Sequence, residues 1–171
     1  MEKKQPSFRS SGHSLIEFAI ASFLILTVLV SIFEVFSLGQ QAAVNLEAEV
    51  KALLLARDLL EEISGKAFEE PGAPGSFGRE SGERRGDRRR YDDVDDYDGY
   101  GPYKPPLDID GTALADFPHF TQAVSVDNVL STDFDSVRSD GSTPFKRVRV
   151  SIQSATLGEA AVTLERIVGK K

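Results

Sequence analysis

An uncharged apolar run close to the N-terminus constrains this chain more than any other feature. Residues 18–33 contain no charged side chain, and a weaker apolar character continues through Val35, Phe36 and Leu38. As a helix rising about 1.5 Å per residue, this segment covers roughly 25–30 Å, which is close to the hydrocarbon thickness of a bilayer. The sequence therefore predicts one helix, over residues 13–38, that enters a membrane.

The leader that precedes this run, residues 1–12, is short, polar and basic. Its three basic residues and one acidic residue are Lys3, Lys4, Arg9 and Glu2. Positive charge ahead of an apolar helix holds that end of the helix in the cytoplasm. We therefore expect a single-pass chain with a cytoplasmic N-terminus and a C-terminal domain on the opposite side of the membrane.

Two ordinary explanations of the apolar run leave something unexplained. A secretory signal peptide ends in a cleavage site of small residues, which residues 34–40 match poorly. A plain single-span anchor fits the length but gives Glu17 no role beyond lying at the headgroup level. Acidic residues within apolar spans are rare and usually have a partner.

Residues 12–17, Gly-His-Ser-Leu-Ile-Glu, resemble the prepilin-type cleavage motif of the type IV pilin superfamily, which includes the pseudopilins of type II secretion. The resemblance implies that a prepilin peptidase cleaves between Gly12 and His13 on the cytoplasmic side. It also implies that the new amine of His13 is methylated and that Glu17 is the fifth residue of the mature chain.

Leu15 and Ile16 match the motif directly, whereas His13 and Ser14 stand where the common pattern has Phe and Thr. In a staggered bundle of such helices, the Glu17 carboxylate of one copy can meet the free amine of its neighbour. An ion pair in a low dielectric is strongly favoured over either charge left alone. Glu17 is therefore expected to set the axial register of assembly.

Helical periodicity continues beyond the apolar run, over residues 39–66. Apolar residues recur at steps of three, four and seven, at Ala43, Leu46, Val50, Leu53, Leu60 and Ile63. Gly65 and Pro71 predict the end of the helix. We expect one helix over residues 14–64 whose amphipathic second half packs on a sheet, since the heptads are too few to predict a coiled coil.

The middle of the chain, residues 67–118, is rich in Gly, Arg, Asp and Pro and is predicted to be a loop region. Five arginines in residues 84–90 precede five aspartates in residues 92–98. We interpret both groups as a solvated loop, in preference to a nucleic-acid or lipid-headgroup surface. The formal net charge of -7 also argues against a nucleic-acid partner.

The aspartates of the acidic loop, residues 91–100, raise the question of calcium, which binds several converging oxygens. Their spacing excludes an EF-hand, because Val94 and Pro105 would have to be ligands. No cofactor is expected unless a calcium site of another kind exists. The candidate ligands for such a site are Asp95, Asp96 and Asp98.

A second resemblance comes from the acidic loop together with residues 60–63, Leu-Glu-Glu-Ile. An aromatic-Asp-Asp-Val-Asp-Asp-Tyr-x-Gly segment after such a helix end is similar to the MSHA-pilin MshD-like branch of minor pilins and related pseudopilins. This resemblance indicates one branch of the superfamily and implies no enzymatic reaction.

The C-terminal region, residues 119–171, changes to a period of two, which is typical of half-buried strands. Strands are predicted within residues 120–126, 148–152 and 160–168. Residues 131–144 are predicted to be a polar loop, and Gly158 predicts a short connection that makes the last two strands an antiparallel hairpin. The expected fold class is α+β, with a long N-terminal helix on a small antiparallel sheet, as in pilins.

No arrangement of residues predicts a reaction. The chain has no cysteine, and His119 stands beside Pro118 without a nucleophile elbow, so we expect it at the surface or at a strand edge. Paired carboxylates occur only in the acidic loop, where we expect nothing to separate their pKa values. The chain is therefore predicted not to be an enzyme.

The resemblance implies a minor pilin or pseudopilin, a structural subunit of a type IV pilus or type II secretion filament. Its implied partners are a prepilin peptidase, other pilins through the N-terminal helix, an inner-membrane assembly platform and membrane lipid. The implied location is the inner membrane, with the C-terminal domain in the periplasm. The alternative is a singly anchored periplasmic binding module that uses the acidic loop for calcium or a basic partner.

Overall fold

The structure is a computed structural model that describes residues 15–73, 75–158 and 161–170. The described residues form one α-helix and four strands. These are α1 (Leu15–Ser64), β1 (Phe120–Leu130), β2 (Asp133–Arg138), β3 (Phe145–Ser154) and β4 (Ala161–Gly169). The described connections contain three single-turn 3₁₀ helices, at Arg88–Arg90, Asp95–Tyr97 and Ala155–Leu157. The chain divides into two compact units, Met1–Ala43 and Val44–Lys171, and each is described by itself.

In the first unit, every described residue belongs to α1 and is exposed. The apolar run contains few polar side chains, and two of them satisfy their hydroxyls locally. Thr27 Oγ1 donates to the carbonyl of Phe23 at 2.9 Å, and Ser31 Oγ donates to the carbonyl of Thr27 at 3.0 Å. By length and composition, α1 could span a membrane, and the helix expected over residues 14–64 is confirmed from Leu15 onwards.

In the second unit, α1 packs through small and medium apolar side chains. Its buried residues are Ala48, Ala52, Ala56, Leu59, Leu60 and Ile63. The sequence predicted that Leu46, Val50 and Leu53 belong to the face of α1 that packs on the sheet, but these residues are exposed. The prediction is correct only at the C-terminal end of the helix. Leu46 and Ala48 are two residues apart, about 200° around the helix, so the larger apolar residues lie away from the core.

The four strands form one antiparallel sheet in the order β2-β1-β3-β4. Val124 of β1 lies opposite Val150 of β3, which in turn lies opposite Leu164 of β4. The antiparallel β3–β4 hairpin is confirmed, with Gly158 in its connection at a positive φ of 71°. The expected loop over residues 131–144 is partly wrong, because β2 forms an edge strand there whose side chains are mostly exposed.

Helix and sheet share one hydrophobic core with residues of the acidic loop. The side chains of Tyr91, Val94, Tyr97 and Tyr100 are all fully buried in it. Backbone bonds fix the loop, since Val124 N donates to Tyr100 O at 2.8 Å and Val94 N donates to Ala67 O at 3.0 Å. The α+β class is confirmed, and the helix-on-sheet arrangement agrees with the pilin-like plan, but the acidic loop belongs to the core and is not a solvated connection.

Candidate functional site

Three of the motif residues lie at the start of α1. Leu15, Ile16 and Glu17 are in its first turn and are exposed, and Glu17 is the acidic residue of that turn. A carboxylate is favoured there by the positive end of the helix dipole. Gly12 and His13, between which cleavage is predicted, lie outside the described residues.

The three calcium candidates do not converge on one point. Asp95 forms a buried ion pair with Lys146, whose Nζ also donates to the carbonyl of Phe68 at 2.5 Å. Asp98 Oδ1 accepts a hydrogen bond from Val126 N at 3.0 Å. Asp95 and Asp98 therefore hold the acidic loop to the sheet, and of the three only Asp96 remains a candidate ligand.

Asp93 and Asp96 cap each other's backbone at the centre of the acidic loop. Asp93 Oδ1 accepts from the amides of Asp95 and Asp96 at 2.8 and 3.2 Å. Asp96 Oδ2 accepts from the amides of Asp92 and Asp93 at 2.9 and 3.1 Å. These bonds use one oxygen of each carboxylate, while Asp93 Oδ2 and Asp96 Oδ1 are buried and have no hydrogen-bond partner.

Burial changes the proton affinity of these carboxylates, contrary to the expectation from the sequence. Burial, with repulsion from Asp95 and Asp96, raises the pKa of Asp93 to about 8. Burial also raises the pKa of Asp96, against the opposing effect of its backbone hydrogen bonds. The sequence prediction failed because it placed the acidic loop in solvent, where nothing would separate the pKa values of its paired carboxylates.

An acidic triad brings Asp96 together with two glutamates that the sequence analysis did not single out. Glu80, Glu83 and Asp96 each offer a carboxylate oxygen, and these oxygens lie within 4.8 Å of one another. Glu80 N donates to Glu83 Oε2 at 2.8 Å, and Ser76 Oγ donates to Glu80 Oε1 at 2.9 Å. Burial, followed by contact with Asp96, raises the pKa of Glu83 to about 7.

One of the arginines interpreted as solvated is buried. Arg88 donates to both carboxylate oxygens of Glu62, from Nε at 2.9 Å and from Nη2 at 3.1 Å. Its Nη1 donates to the Tyr100 hydroxyl, and the Tyr97 hydroxyl donates to Glu62 Oε1 at 2.7 Å. Burial raises the pKa of Tyr100 to about 12 and also raises that of Tyr97.

The remaining arginines of this cluster are at the surface, as expected. Arg89 pairs with Asp87, which lowers the pKa of Asp87 to about 2. Arg85 donates to the carbonyl of Gly101 at 2.6 Å. His119 is exposed immediately before β1, in agreement with the sequence prediction.

Comparison with protein-family models, with curated proteins and with solved structures finds no match for this chain. The case for a function therefore rests on the sequence motif, the fold and the two candidate sites, which are the start of α1 and the acidic triad.

Proposed function

We propose that this chain is a minor pilin or pseudopilin, a non-enzymatic structural subunit of a type IV pilus or type II secretion filament. The observation that carries the proposal is the position of Glu17. It is five residues after Gly12, in the first turn of an exposed apolar helix that continues into an α+β domain. A plain membrane anchor has no use for a carboxylate at this place.

The exposed apolar surface of α1 supports the proposal. Side chains of the first unit, such as Phe18 and Phe33, each 73% exposed, require lipid or other apolar helices around them. The same need extends into the second unit, whose exposed apolar helix residues are Val44, Leu46, Val50, Leu53 and Leu54. In the proposed filament, α1 helices of neighbouring subunits cover both sets.

Glu17 supplies the specificity that apolar packing lacks. Cleavage after Gly12 creates an amine at His13, and the Glu17 carboxylate of one subunit pairs with the amine of its neighbour. Leaving either charge alone in an apolar bundle is costly, so the pair selects one axial stagger among many apolar contacts. The subunit also requires a prepilin peptidase, an inner-membrane assembly platform and lipid, with its second unit in the periplasm.

The alternative is a singly anchored periplasmic binding module whose acidic loop binds calcium or a basic partner. Burial counts against a basic macromolecular partner, because Asp93, Asp95 and Asp96 are inaccessible to it. A plain anchor also predicts that Gly12→Val leaves its behaviour unchanged. The pilin proposal predicts that the same change blocks processing.

Replacement of Glu17 tests the assembly role. In a host with a prepilin peptidase and a filament machine, Glu17→Ala should be processed normally, while its amount in sheared filaments falls severalfold. Asp140→Asn is the matched control, because it removes an exposed carboxylate outside α1. Normal incorporation of Glu17→Ala would contradict the ion-pair role.

A further inference from the structure

We propose that Glu80, Glu83 and Asp96 form a divalent-cation site that prefers Ca²⁺. The bound ion connects the turn at residues 80–83 to the acidic loop. This site does not depend on the proposed function, because it lies wholly within the second unit.

The spacing of the three carboxylates suits a calcium ion. Their ligand oxygens lie within 4.8 Å of one another. Three oxygens at this spacing lie no more than about 2.8 Å from a common centre, and Ca–O bonds are about 2.3–2.6 Å, so small side-chain shifts allow one ion to bind all three. Calcium also accepts an irregular shell completed by water or carbonyl oxygens, whereas Mg²⁺ needs a nearly octahedral shell at shorter distances.

Each carboxylate is held by one oxygen, which leaves the other for an ion. Asp96 is 0% exposed, its Oδ2 accepts two backbone amides, and its Oδ1 is buried without a hydrogen-bond partner. Glu80 Oε1 is held by Ser76, and Glu80 Oε2 is likewise buried without a partner. A buried unpaired oxygen is costly, and a cation removes that cost at both atoms.

No basic side chain of the described residues neutralises the triad. Ion pairs within 4.0 Å are found for neither Glu80, Glu83 nor Asp96 in this part of the chain, while Lys146 is engaged by Asp95. Arg79 is nearby, but its Nη1 donates to the backbone carbonyls of Asp96 and Asp98 at 3.1 and 2.9 Å. Three carboxylates at this separation repel one another unless a cation or a proton joins them.

The tyrosines provide a direct assay for the site. The chain has no tryptophan, and its four tyrosines all lie within residues 91–103. Tb³⁺ bound at Asp96 is therefore adjacent to Tyr97 and should show luminescence on tyrosine excitation in the full chain purified in detergent. Ca²⁺ should displace the Tb³⁺ at a lower concentration than Mg²⁺ does.

Thermal unfolding of the same full chain supplies a second measurement. Ca²⁺ at a hundredfold excess over its Kd should raise Tm by about 5–10 °C relative to a chelator. Glu80→Gln and Glu83→Gln keep the shape of the side chains and should each lose most of this shift. Asp116→Asn, which removes an exposed carboxylate before β1, should retain it.

Two results would overturn the proposal. The first is the absence of Tb³⁺ luminescence and of any Ca²⁺-dependent shift at millimolar Ca²⁺. If, in addition, Glu83→Gln has a higher Tm in chelator than the unmodified chain, a proton and not a cation joins the carboxylates. The second is an undiminished Ca²⁺ shift in both glutamine variants, which would place the ion elsewhere.

Discussion

Arg88 connects the end of α1 to the acidic loop through one side chain. It forms a two-bond ion pair with Glu62 of the helix and donates to the hydroxyl of Tyr100. It also donates to the carbonyl of Leu107 at 3.1 Å. Each of the three guanidinium nitrogens has at least one acceptor, so removing the side chain leaves several groups without their partner.

Arg88→Ala should lower the free energy of unfolding by about 3–5 kcal/mol, because it leaves the Glu62 carboxylate partly buried and uncompensated. The measurement is denaturant or thermal unfolding of the full chain in detergent. Arg89→Ala is the control, since its pair with Asp87 is exposed to solvent and should contribute little to stability. Equal effects of the two changes would contradict the assigned role of Arg88.

Tyr100 should keep its proton well above the usual range of a tyrosine. Burial raises its pKa to about 12, whereas in the unfolded chain it titrates near about 10. The unfolded state therefore loses this proton first, and the stabilising contribution is lost as the pH rises from about 10 to about 12.

The measurement is the ultraviolet absorbance of tyrosinate as a function of pH, with circular dichroism to monitor the fold. A late titration step is expected in the folded chain, and Tyr100→Phe should reduce it. Titration of all four tyrosines near about 10 with the fold intact would show that Tyr100 is not buried as described.

At the scale of elements, the core face of α1 depends on alanine. Ala48, Ala52 and Ala56 are buried, so this face of the helix buries little side-chain volume per residue. The sequence pattern favoured larger residues such as Leu46 and Val50, which lie on the opposite side. Periodicity predicted that α1 is amphipathic, but a second apolar stripe concealed which face meets the sheet.

Ala52→Leu should overpack this contact and cost about 1–3 kcal/mol. The same substitution at the exposed Ala43 is the matched control and should change stability by less than about 0.5 kcal/mol. Both are measured by thermal unfolding of the full chain. A larger loss for Ala43→Leu than for Ala52→Leu would mean that the core face is assigned wrongly.

Among the strands, alternation predicted those with one buried face. β1 and β3 alternate clearly and were found, and β4 follows a short connection at Gly158. β2 was missed because its two apolar residues, Phe134 and Val137, are three positions apart and exposed, so the strand shows no alternation. Its pairing with β1 depends on tertiary contact alone.

The acidic loop was misinterpreted because its charges concealed an apolar period of three. Tyr91, Val94, Tyr97 and Tyr100 recur at every third position, and the short 3₁₀ helix Asp95–Tyr97 lies within this segment. That spacing could have predicted burial. The triad could not have been predicted, because Glu80 and Glu83 meet Asp96 only through the folded loop.

At the scale of the whole molecule, each of the two units meets a different requirement of the proposed function. The described part of the first unit buries none of its side chains and so depends on lipid or neighbouring helices. The second unit has its own core, made by α1, the sheet and the acidic loop. The proposed function therefore predicts a folded domain that is attached to the filament through an apolar helix.

The central claim is that this helix is a processed pilin-type segment, and the mass of the N-terminal peptide tests it most directly. The protein is extracted from membranes of cells with and without a prepilin peptidase, with Gly12→Val as the control. The account predicts a peptide that begins at His13, with or without an added methyl group, only when the peptidase is present and Gly12 is intact. A peptide that still begins at Met1 in the presence of the peptidase would contradict the account.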